Sequence, residues 1–320
     1  MTQGITLGRC FITGAAGFIG SHFAERLLAE GNTVTGYDNL SSGRKEWIAH
    51  LQDDPRFAFI EADLLDRAAL DKAVKDHDVV IHLGANTDIR RGNSDYRIDL
   101  ENDTIATYNL LEAMRANGVG DLLFASSATV YGDQWEEPLD EGKGPLLPIS
   151  LYGAAKLSCE AIISAYCHLC DMRAWIFRFG NVVGARMGHG VIYDFINKLQ
   201  QDPRELEILG DGDQQKNYFM VEDCIDGMLF AFRNVKDGPC GVFNLGTESN
   251  TQVATIGRIV AEGMGLNGVR FRCTGGRRGW PGDQPRIYYD ISKMRRLGWE
   301  PKHTSTEAVR IAADRLLGRA

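Results

Sequence analysis

The chain lacks any long hydrophobic segment. No stretch reaches the run of about 18 apolar residues that marks a transmembrane helix, so no membrane partner is expected. Positive charge is also scarce, since 35 lysines and arginines stand against 43 aspartates and glutamates, a formal net charge of −8. This balance argues against a nucleic-acid partner. Residues 1–9 contain no apolar segment of the kind found in signal peptides, and a cytoplasmic location is therefore expected.

Cysteine is sparse and odd in number, with 7 residues scattered from Cys10 to Cys273. Without a secretory signal, they are expected to be reduced thiols rather than a disulfide framework. Cys167 and Cys170 have C-x-x-C spacing, but a metal or redox site needs a second ligand pair or a thioredoxin-like context. The sequence offers neither, so no metal site is predicted.

A strand, a glycine-rich loop and a helix open the chain. Residues 9–13 form a short apolar run, and residues 18–30 repeat apolar side chains on one helical face. Between them, Gly14-x-x-Gly17-x-x-Gly20 predicts a dinucleotide fingerprint. Gly14 permits the tight turn, Gly17 lets the backbone approach a pyrophosphate, and Gly20 lets the helix pack closely. The N-terminus of the helix would then attract the phosphates.

The second predicted strand, residues 33–37, is followed by Asp38. An acidic residue at this place accepts hydrogen bonds from the adenosine ribose and repels a 2′-phosphate. Asp38 therefore predicts NAD rather than NADP as the cofactor. The simpler interpretation, a turn residue before Asn39, is less favoured because of the glycine loop upstream.

The alternation of strands and helices continues through the first half. Further strands are predicted at 57–60, 79–83, 122–125 and 173–178, and helices at 67–75, 102–116 and from Tyr152 to about Cys170. Repeated βα units form a parallel sheet with helices on both faces. The predicted fold class is α/β, a Rossmann-type doubly wound parallel sheet with a smaller C-terminal substrate-binding lobe. The dinucleotide-binding domain is assigned to residues 1–180 with a returning segment near 217–246, and the lobe to residues 181–320.

Tyr152 and Lys156 stand four residues apart and share one face of a helix. A free tyrosine, with a pKa of about 10, is a poor base at neutral pH, and a nearby ammonium lowers that pKa. The hydroxyl of Ser127, at the end of a predicted strand, could bond a substrate oxygen. Together the three groups could take a proton from a carbinol and stabilise the alkoxide. The alternative is a solvated helix edge, which the surrounding motifs disfavour.

In this order and at these spacings, the motifs resemble the extended short-chain dehydrogenase/reductase family, in its nucleotide-sugar epimerase branch. The similarity spans nearly the whole chain. The matching pieces are the glycine loop, Asp38-Asn39-Leu40, Asp63-Leu64, His82-Leu83-Gly84-Ala85, Asn102, residues 127–132, Tyr152-x-x-x-Lys156, residues 178–184, Gly210-Asp211-Gly212 and Gly282-Asp283.

Within the family, the two positions after Ser127 distinguish the reactions. Nucleotide-sugar 4,6-dehydratases carry an Asp-Glu pair there and UDP-glucuronate decarboxylases a glutamate, whereas this chain has Ala128 and Thr129. The stretch instead resembles UDP-galactose 4-epimerases. The resemblance implies reversible oxidation at C4 through a transient 4-keto sugar. Tyr152 would be the acid–base group, Lys156 would tune it and hold the nicotinamide ribose, and Ser127 would bond the 4-oxygen with Thr129 as support.

The resemblance also implies the ligands and their contacts. NAD is the expected cofactor, and a UDP-hexose, including N-acetylated or uronate forms, is the expected substrate. The cofactor contacts are Gly14, Gly17, Phe18, Ile19, Gly20, Asp38, Asn39, Leu40, Ser42, Asp63, Leu64, Leu83, Gly84, Ala85, Asn102, Tyr152, Lys156 and Phe179. The substrate contacts are Thr87, Ser127, Thr129, Tyr152, Asn181, Val191, Ile192, Lys216, Arg278, Asp283 and Ile287.

The chain departs from the family pattern in its second half. Lys216 stands where relatives usually place a nucleotide-binding arginine, and Trp280 stands at the place of another. Lysine binds phosphate as a point charge without the bidentate fork. The candidates to replace the missing arginine are Arg277, Arg278 and Arg286, and GDP, CDP or ADP sugars stay open beside UDP sugars. For Arg186 and His189, a loop role is as well supported as a substrate role.

Ile287 falls where some 4-epimerases use a tyrosine to exclude N-acetyl sugars, so a roomy pocket near C2 is expected. The same-class alternative is another NAD-dependent nucleotide-sugar oxidoreductase or epimerase, such as a 4-ketoreductase. A non-catalytic dinucleotide-sensing regulator is the alternative from another class, and the intact Tyr152 and Lys156 disfavour it. The resemblance also implies a homodimer formed by two helices of each subunit.

Overall fold

The structure is a computed structural model that describes residues 6–134 and 137–319, apart from the side chain of Asn93. The chain divides into two compact units. The first comprises Met1–Ser127, Leu151–Phe177 and Met228–Phe243, and the second comprises Ala128–Ser150, Arg178–Gly227 and Asn244–Ala320. The units thus alternate along the sequence. The functional domains assigned from sequence to residues 1–180 and 181–320 remain a prediction.

The regular elements follow one another in the order strand, helix, strand through the first half. The strands are β1 (Arg9–Thr13), β2 (Thr33–Asp38), β3 (Phe57–Glu61), β4 (Val79–His82), β5 (Asp121–Ser127), β6 (Arg173–Phe179), β7 (Asn181–Val183), β8 (Glu205–Ile208), β9 (Gln215–Lys216), β10 (Tyr218–Met220), β11 (Cys240–Leu245), β12 (Thr251–Gln252) and β13 (Arg270–Cys273). The α-helices are α1 (Phe18–Ala29), α2 (Arg67–Ala73), α3 (Ala106–Asn117), α4 (Leu151–Leu169), α5 (Val191–Gln201), α6 (Val221–Asn234), α7 (Val253–Gly263), α8 (Ser292–Leu297) and α9 (Ser305–Leu316).

The central sheet has seven strands in the order β11-β6-β5-β4-β1-β2-β3. The pairs that link β3, β2, β1, β4 and β5 are all parallel. The order reverses between β1 and β4, and in such sheets ligands bind at the carboxyl ends of the strands beside this reversal. The predicted doubly wound parallel sheet is confirmed.

Local sequence explains why these elements form where they do. All four residues of β4 are buried, as expected of a continuous apolar strand covered on both faces. Helix α2 begins after Asp66, whose side chain accepts a hydrogen bond from the Ala69 amide. Helix α3 ends at Gly118, which has a left-handed φ of 67° that glycine adopts without strain. The core between sheet and helices includes buried Phe11, Leu110 and Ile163.

One predicted helix differs from the observed structure. The sequence pattern predicts a single helix over 102–116, whereas a π-helix occupies Leu100–Ile105 and continues into α3. A π-helix is wider than an α-helix, so the side chains that follow it point in other directions than an α-helical period predicts. Helix α6, Val221–Asn234, lies within the returning segment near 217–246.

Among its described residues, the second unit forms its own small sheets from strands of two to four residues. Three two-stranded sheets pair β10 with β7, β12 with β9 and β13 with β8. Helix α9 carries a full capping box, in which Thr304 and Glu307 each satisfy a backbone amide at the helix start. This unit contains most of the residues proposed from sequence to bind substrate.

Candidate active site

The loop after β1 closely approaches the end of β4. Gly14 has a left-handed φ of +69°, and a Cβ atom built on it would lie 2.8 Å from the Gly84 amide nitrogen. The side-chain oxygen of Thr13 accepts hydrogen bonds from the Leu83 and Gly84 amides at 3.2 and 3.1 Å. Only glycine fits this approach of two backbones at the point where the strand order reverses.

Helix α1 begins directly behind this loop. It follows Gly17 with no side-chain cap and no acidic residue in its first turn, so its first amides can donate to an anion. A Cβ atom on Gly20 would collide with the carbonyl oxygen of Gly14. Phe18 and Ile19 lie in the first turn and are half-buried. These residues fit the pyrophosphate of a dinucleotide.

Asp38 ends β2 beside the glycine loop. Its carboxylate accepts hydrogen bonds from the Ala16 amide at 2.9 Å and the Leu40 amide at 2.7 Å. Burial raises the pKa of Asp38 above its usual range, against the opposing effect of these two hydrogen bonds. A carboxylate held in this position fits the ribose diol of an adenosine.

One cationic residue near this loop was missed in the sequence. The Arg44 amide donates to the Ala16 carbonyl at 2.8 Å, which brings this residue to the glycine loop. Its guanidinium lies 5.2 Å from the ring centre of Trp47 and 3.8 Å from the Glu46 carboxylate. It is therefore engaged by its neighbours along the chain.

The other predicted cofactor contacts of the first unit lie on loops after strands. Asn39 donates to the Asp63 carboxylate at 2.8 Å, which links the ends of β2 and β3. The Leu64 side chain lies against Gly84, where a Cβ atom would be 2.9 Å away. Ser42 is exposed and Ala85 is half-buried, and Thr87, a predicted substrate contact, is also exposed. Their ligand contacts remain predictions.

Tyr152 and Lys156 lie on α4, as predicted. The Lys156 ammonium is 5.5 Å from the ring centre of Tyr152 and 5.1 Å from that of Phe124. Tyr152 is partly exposed, whereas Lys156 is buried. A hydrogen bond joins the Tyr152 phenol to Ser127, the last residue of β5. The structure thus brings the three predicted catalytic residues together.

Several groups act together on the pKa of Tyr152. Burial of the phenol raises the pKa of Tyr152, and it outweighs the lowering effect of Lys156. The carboxylates of Asp103 and Asp99 raise the pKa further, while the hydrogen bond to Ser127 lowers it. Lys156 therefore acts in the predicted direction, while burial decides the net direction.

The partner of Lys156 was also missed from the sequence. Its ammonium lies 3.0 Å from the Asp103 carboxylate, and the two side chains are 4% and 0% exposed. The sequence pointed to Asn102, which is half-buried on the π-helix. We call Lys156, Asp103 and Asp99 the lysine–carboxylate cluster. A buried lysine needs a paired acid, but the burial of Lys156 depends on packing that the sequence does not show.

His82, at the end of β4, holds the elements behind this cluster together. Its ring nitrogens lie 2.7 Å from the Thr13 hydroxyl and 3.0 Å from the Thr107 hydroxyl. Burial, followed by repulsion from Lys156, lowers the pKa of His82 to about 3. The imidazole is therefore neutral at physiological pH and serves as a bridge between β1, β4 and α3.

In the second unit, the candidate nucleotide-binding cations are paired with acids. Lys216 forms an ion pair with Asp283, and its ammonium lies 4.7 Å from the ring centre of Trp280. Arg278 forms an ion pair with Asp133 at 2.6 Å and donates to the Asp283 carbonyl. We call Lys216, Asp283, Arg278 and Asp133 the paired-cation cluster. Trp280 thus contacts the lysine that replaces the expected arginine.

The remaining predicted contacts of the second unit occupy varied environments. Asn181 donates to the Asn217 carbonyl at 2.9 Å. The others are Phe179 on β6, Val191 and Ile192 in the first turn of α5, Ile287, whose amide donates to Gln215, and Thr129. The role of Phe179 toward the cofactor, and those of the other residues toward a substrate, remain predictions.

Comparison with known proteins identifies the family. The family model described as the NAD dependent epimerase/dehydratase family matches residues 10–246. The chain belongs to this family. The predicted family and its dependence on NAD are confirmed, and the glycine loop and Asp38 provide a place that fits the cofactor.

The chain is similar to several enzymes of this family. It is 31% identical over 317 residues to the UDP-glucose 4-epimerase of Mycolicibacterium smegmatis, covering 94% of this chain and 96% of the relative. A crystal structure of UDP-galactose 4-epimerase superposes with a TM-score of 0.87 at 38% identity, covering 97% and 99% of the two chains. The UDP-glucuronic acid 4-epimerase of Bacillus cereus, solved with UDP-glucuronic acid and NAD, gives a TM-score of 0.87 at 28% identity over 98% and 100%.

Two further findings concern metals and membranes. Within residues 6–134 and 137–319, no group of three or more histidine, cysteine or acidic side chains is arranged to hold a metal ion. No helix in the described part of the chain combines the length and the apolar character needed to cross a membrane.

Proposed function

We propose that this protein is an NAD-dependent nucleotide-sugar 4-epimerase that acts on a UDP-hexose. The observation that carries the proposal is the meeting of Ser127, Tyr152 and Lys156 in the first unit, with Ala128 and Thr129 in place of acidic residues. Relatives named as 4-epimerases at about the same length support it.

The chain's own residues perform the proton transfers in this proposal. Tyr152 takes the proton of the 4-hydroxyl. After the 4-keto sugar has rotated to present its other face, Tyr152 returns the proton. Ser127 bonds the same oxygen throughout. Lys156 supplies the positive charge that stabilises the phenolate when it forms. NAD, when bound, supplies the reversible acceptance of a hydride from C4.

Absence of a carboxylate next to Ser127 favours epimerisation over dehydration. Loss of water from a 4-keto sugar needs an acid for the C6 hydroxyl and a base for the C5 proton. Asp88 instead accepts a hydrogen bond from the Arg90 amide, and Asp133 pairs with Arg278. Both carboxylates therefore have structural partners, Asp88 within its own loop and Asp133 on a distant one.

A panel of UDP sugars and other nucleotide sugars, incubated in deuterated water, tests this function. Product of unchanged formula, inverted at C4 and without solvent deuterium on carbon, is expected. Loss of water or deuterium at C5 would contradict a 4-epimerase and point to a dehydratase or another epimerase. Net reduction of a 4-keto sugar would favour the ketoreductase, and NAD binding without turnover of any sugar would favour the regulator.

The homodimer is also part of this proposal. Leu100, Ile105 and Tyr108 on the π-helix and α3 are 50%, 40% and 46% exposed, and Leu151 on α4 is 43% exposed. Exposed apolar side chains on two helices of one unit favour burial against a second copy. Sedimentation equilibrium should give twice the mass of 35.4 kDa, and Tyr108→Asp should reduce it to one chain.

The cytoplasmic location belongs to the proposal as well. All seven cysteines are free thiols in the structure. Free thiols in this number suit a reducing compartment. Cell fractionation with an antibody to the protein would test the location.

A further inference from the structure

Three ionisable side chains without direct exposure to solvent meet behind the Tyr152 phenol. Asp103, on the π-helix, lies 3.0 Å from the Lys156 ammonium. Asp99, one turn earlier, is 1% exposed, as is Asp103. Neither carboxylate is required by the proton transfers proposed for Tyr152, so their presence calls for an explanation.

Asn86 connects the two carboxylates. Its backbone amide donates to Asp103 at 3.3 Å, and its side-chain amide donates to Asp99 at 2.8 Å. Within the described part of the chain, the second oxygen of Asp99 has no hydrogen-bond partner. A buried carboxylate oxygen without a partner is costly, so such a group is retained only where its charge or position is used.

The charges of the lysine–carboxylate cluster do not balance. Two carboxylates stand against a single ammonium, and the other titratable groups near Lys156 are neutral. Burial lowers the pKa of His82 to about 3 and raises that of the Cys159 thiol to about 11. Burial also raises the pKa of Asp99, so its negative charge is easier to remove than that of an exposed aspartate.

The ammonium itself stays charged. Burial acts against it, but the attraction of Asp103 and then of Tyr152 outweighs burial and raises the pKa of Lys156. Burial raises the pKa of Asp103 and Lys156 lowers it, and the 3.0 Å contact between the two groups makes them a compact ion pair. At the position of the Tyr152 phenol, the opposite charges of an ion pair partly cancel. The pair therefore attracts a negative phenolate much less than a lone ammonium does.

We propose that Asp103 is a positioning residue that fixes the Lys156 ammonium and, with a smaller contribution from Asp99, offsets its charge so that Tyr152 rests in the protonated form. This inference rests on the proposed role of Tyr152 as the acid–base group. Its consequence is that the resting site holds an acid, and the base form is reached only as pH rises. The groups that face the phenol and set this balance are Lys156, Asp103, Asp99 and the Ser127 hydroxyl.

Direct titration of Tyr152 tests the proposal without any substrate. The full chain is labelled with tyrosine carrying ¹³C at Cζ, and Tyr152→Phe identifies the resonance among those of 10 tyrosines. Asp103→Asn should move the Tyr152 titration midpoint down by about one to three pH units, the size of effect that a nearby charge exerts. An unchanged or higher midpoint would overturn the proposal.

Two matched variants keep the test decisive. Asp99→Asn should shift the midpoint in the same direction by less, and Asp76→Asn, at an exposed position of the same unit, should not shift it. If circular dichroism shows that Asp103→Asn does not fold, the Asp99→Asn shift decides, and its absence overturns the proposal. A purely structural role for Asp103 would lower thermal stability and leave the midpoint in place.

The pH dependence of turnover gives the second reading. The acidic limb of kcat/KM should move to lower pH in Asp103→Asn by the same amount as the Tyr152 midpoint. If no nucleotide sugar is turned over, the proposed function fails, while the titration of Tyr152 still supports or overturns the role of Asp103.

Discussion

The lysine–carboxylate cluster and the paired-cation cluster use the same kinds of residue in opposite ways. In the first unit, Lys156 and Asp103 are 4% and 0% exposed, and they lie beside the phenol proposed to transfer a proton. In the second unit, Lys216 is 13% exposed, and Arg278 and Asp133 are 35% exposed each. The difference teaches that a buried ion pair sets the proton affinity of a neighbouring group. In a more accessible pair, the cation can exchange its carboxylate partner for the phosphate of a ligand.

Tyr152→Phe should produce the largest effect and act on one side of this comparison. Turnover should fall by about 10² to 10⁴, the contribution of a general acid–base group, because the phenol hydroxyl is lost. Affinity for NAD, measured by isothermal titration calorimetry, should stay close to that of the wild type. Turnover at the wild-type rate would remove Tyr152 from the mechanism.

Lys216→Ala should act on the other side. KM for the UDP sugar should rise about tenfold or more, as expected for a lost hydrogen bond to a charged group, while kcat stays within about twofold. Lys198→Ala is the matched control, since Lys198 forms a half-exposed pair with Glu207 in the same unit. A fall in kcat with unchanged KM would place Lys216 in the chemical step.

Removing Lys216 leaves the buried Asp283 without its cation, which can destabilise the protein by about 3 to 5 kcal/mol. The double variant Lys216→Ala with Asp283→Asn removes that charge. It should recover the melting temperature and keep the raised KM, which separates ligand binding from folding.

His82 should show its effect in stability rather than in turnover. Its pKa of about 3 lies below that of an unfolded histidine, so the unfolded state binds the extra proton between these two values. Stability from this residue is complete above about pH 6.5 and falls by about 1.4 kcal/mol per unit as pH drops toward the folded value. Urea denaturation across this range should show a steeper loss for the wild type than for His82→Asn; parallel curves would contradict the assignment.

Ile287→Tyr should change the choice of sugar rather than the reaction itself. Ile287 is 5% exposed, and a larger side chain with a hydroxyl would reduce the space near it. If Ile287 faces C2 of the sugar, the ratio of kcat/KM for UDP-N-acetyl sugars to kcat/KM for UDP-glucose should fall in the variant. The expected fall is about 10-fold to 200-fold, the range over which a steric pocket discriminates. Equal ratios in the variant and the wild type would show that another residue selects the sugar.

Residues close together in sequence made most of the first unit predictable. The strand, loop and helix around Gly14 and Gly17 need only local patterns, and the carboxyl ends of parallel strands meet by topology. Tyr152 and Lys156 were predictable because a helical period places them on one face. The burial of their polar ends was not, since it depends on what packs over them.

In the second unit, the ion pairs join residues that are far apart in sequence. Lys216 and Asp283 are separated by 67 positions, and Arg278 and Asp133 by 145, so no local pattern predicts that these charges pair. Arg278 was considered a replacement for the arginine missing at Trp280. Its ion pair with Asp133 depends on the folding of two loops that share no motif.

The π-helix at Leu100–Ile105 makes this part of the protein unusually sensitive to chain length. A wide turn of this kind behaves as if one residue had been added to an α-helix. Deleting a single residue there would let the turn relax to α-helical spacing and rotate Asp103 about 100° around the helix axis. The deletion would thereby separate the Asp103 carboxylate from the Lys156 ammonium, although Asp103, Lys156 and Tyr152 are all still present in the chain. Insertions and deletions in this segment are therefore as informative as substitutions at Tyr152.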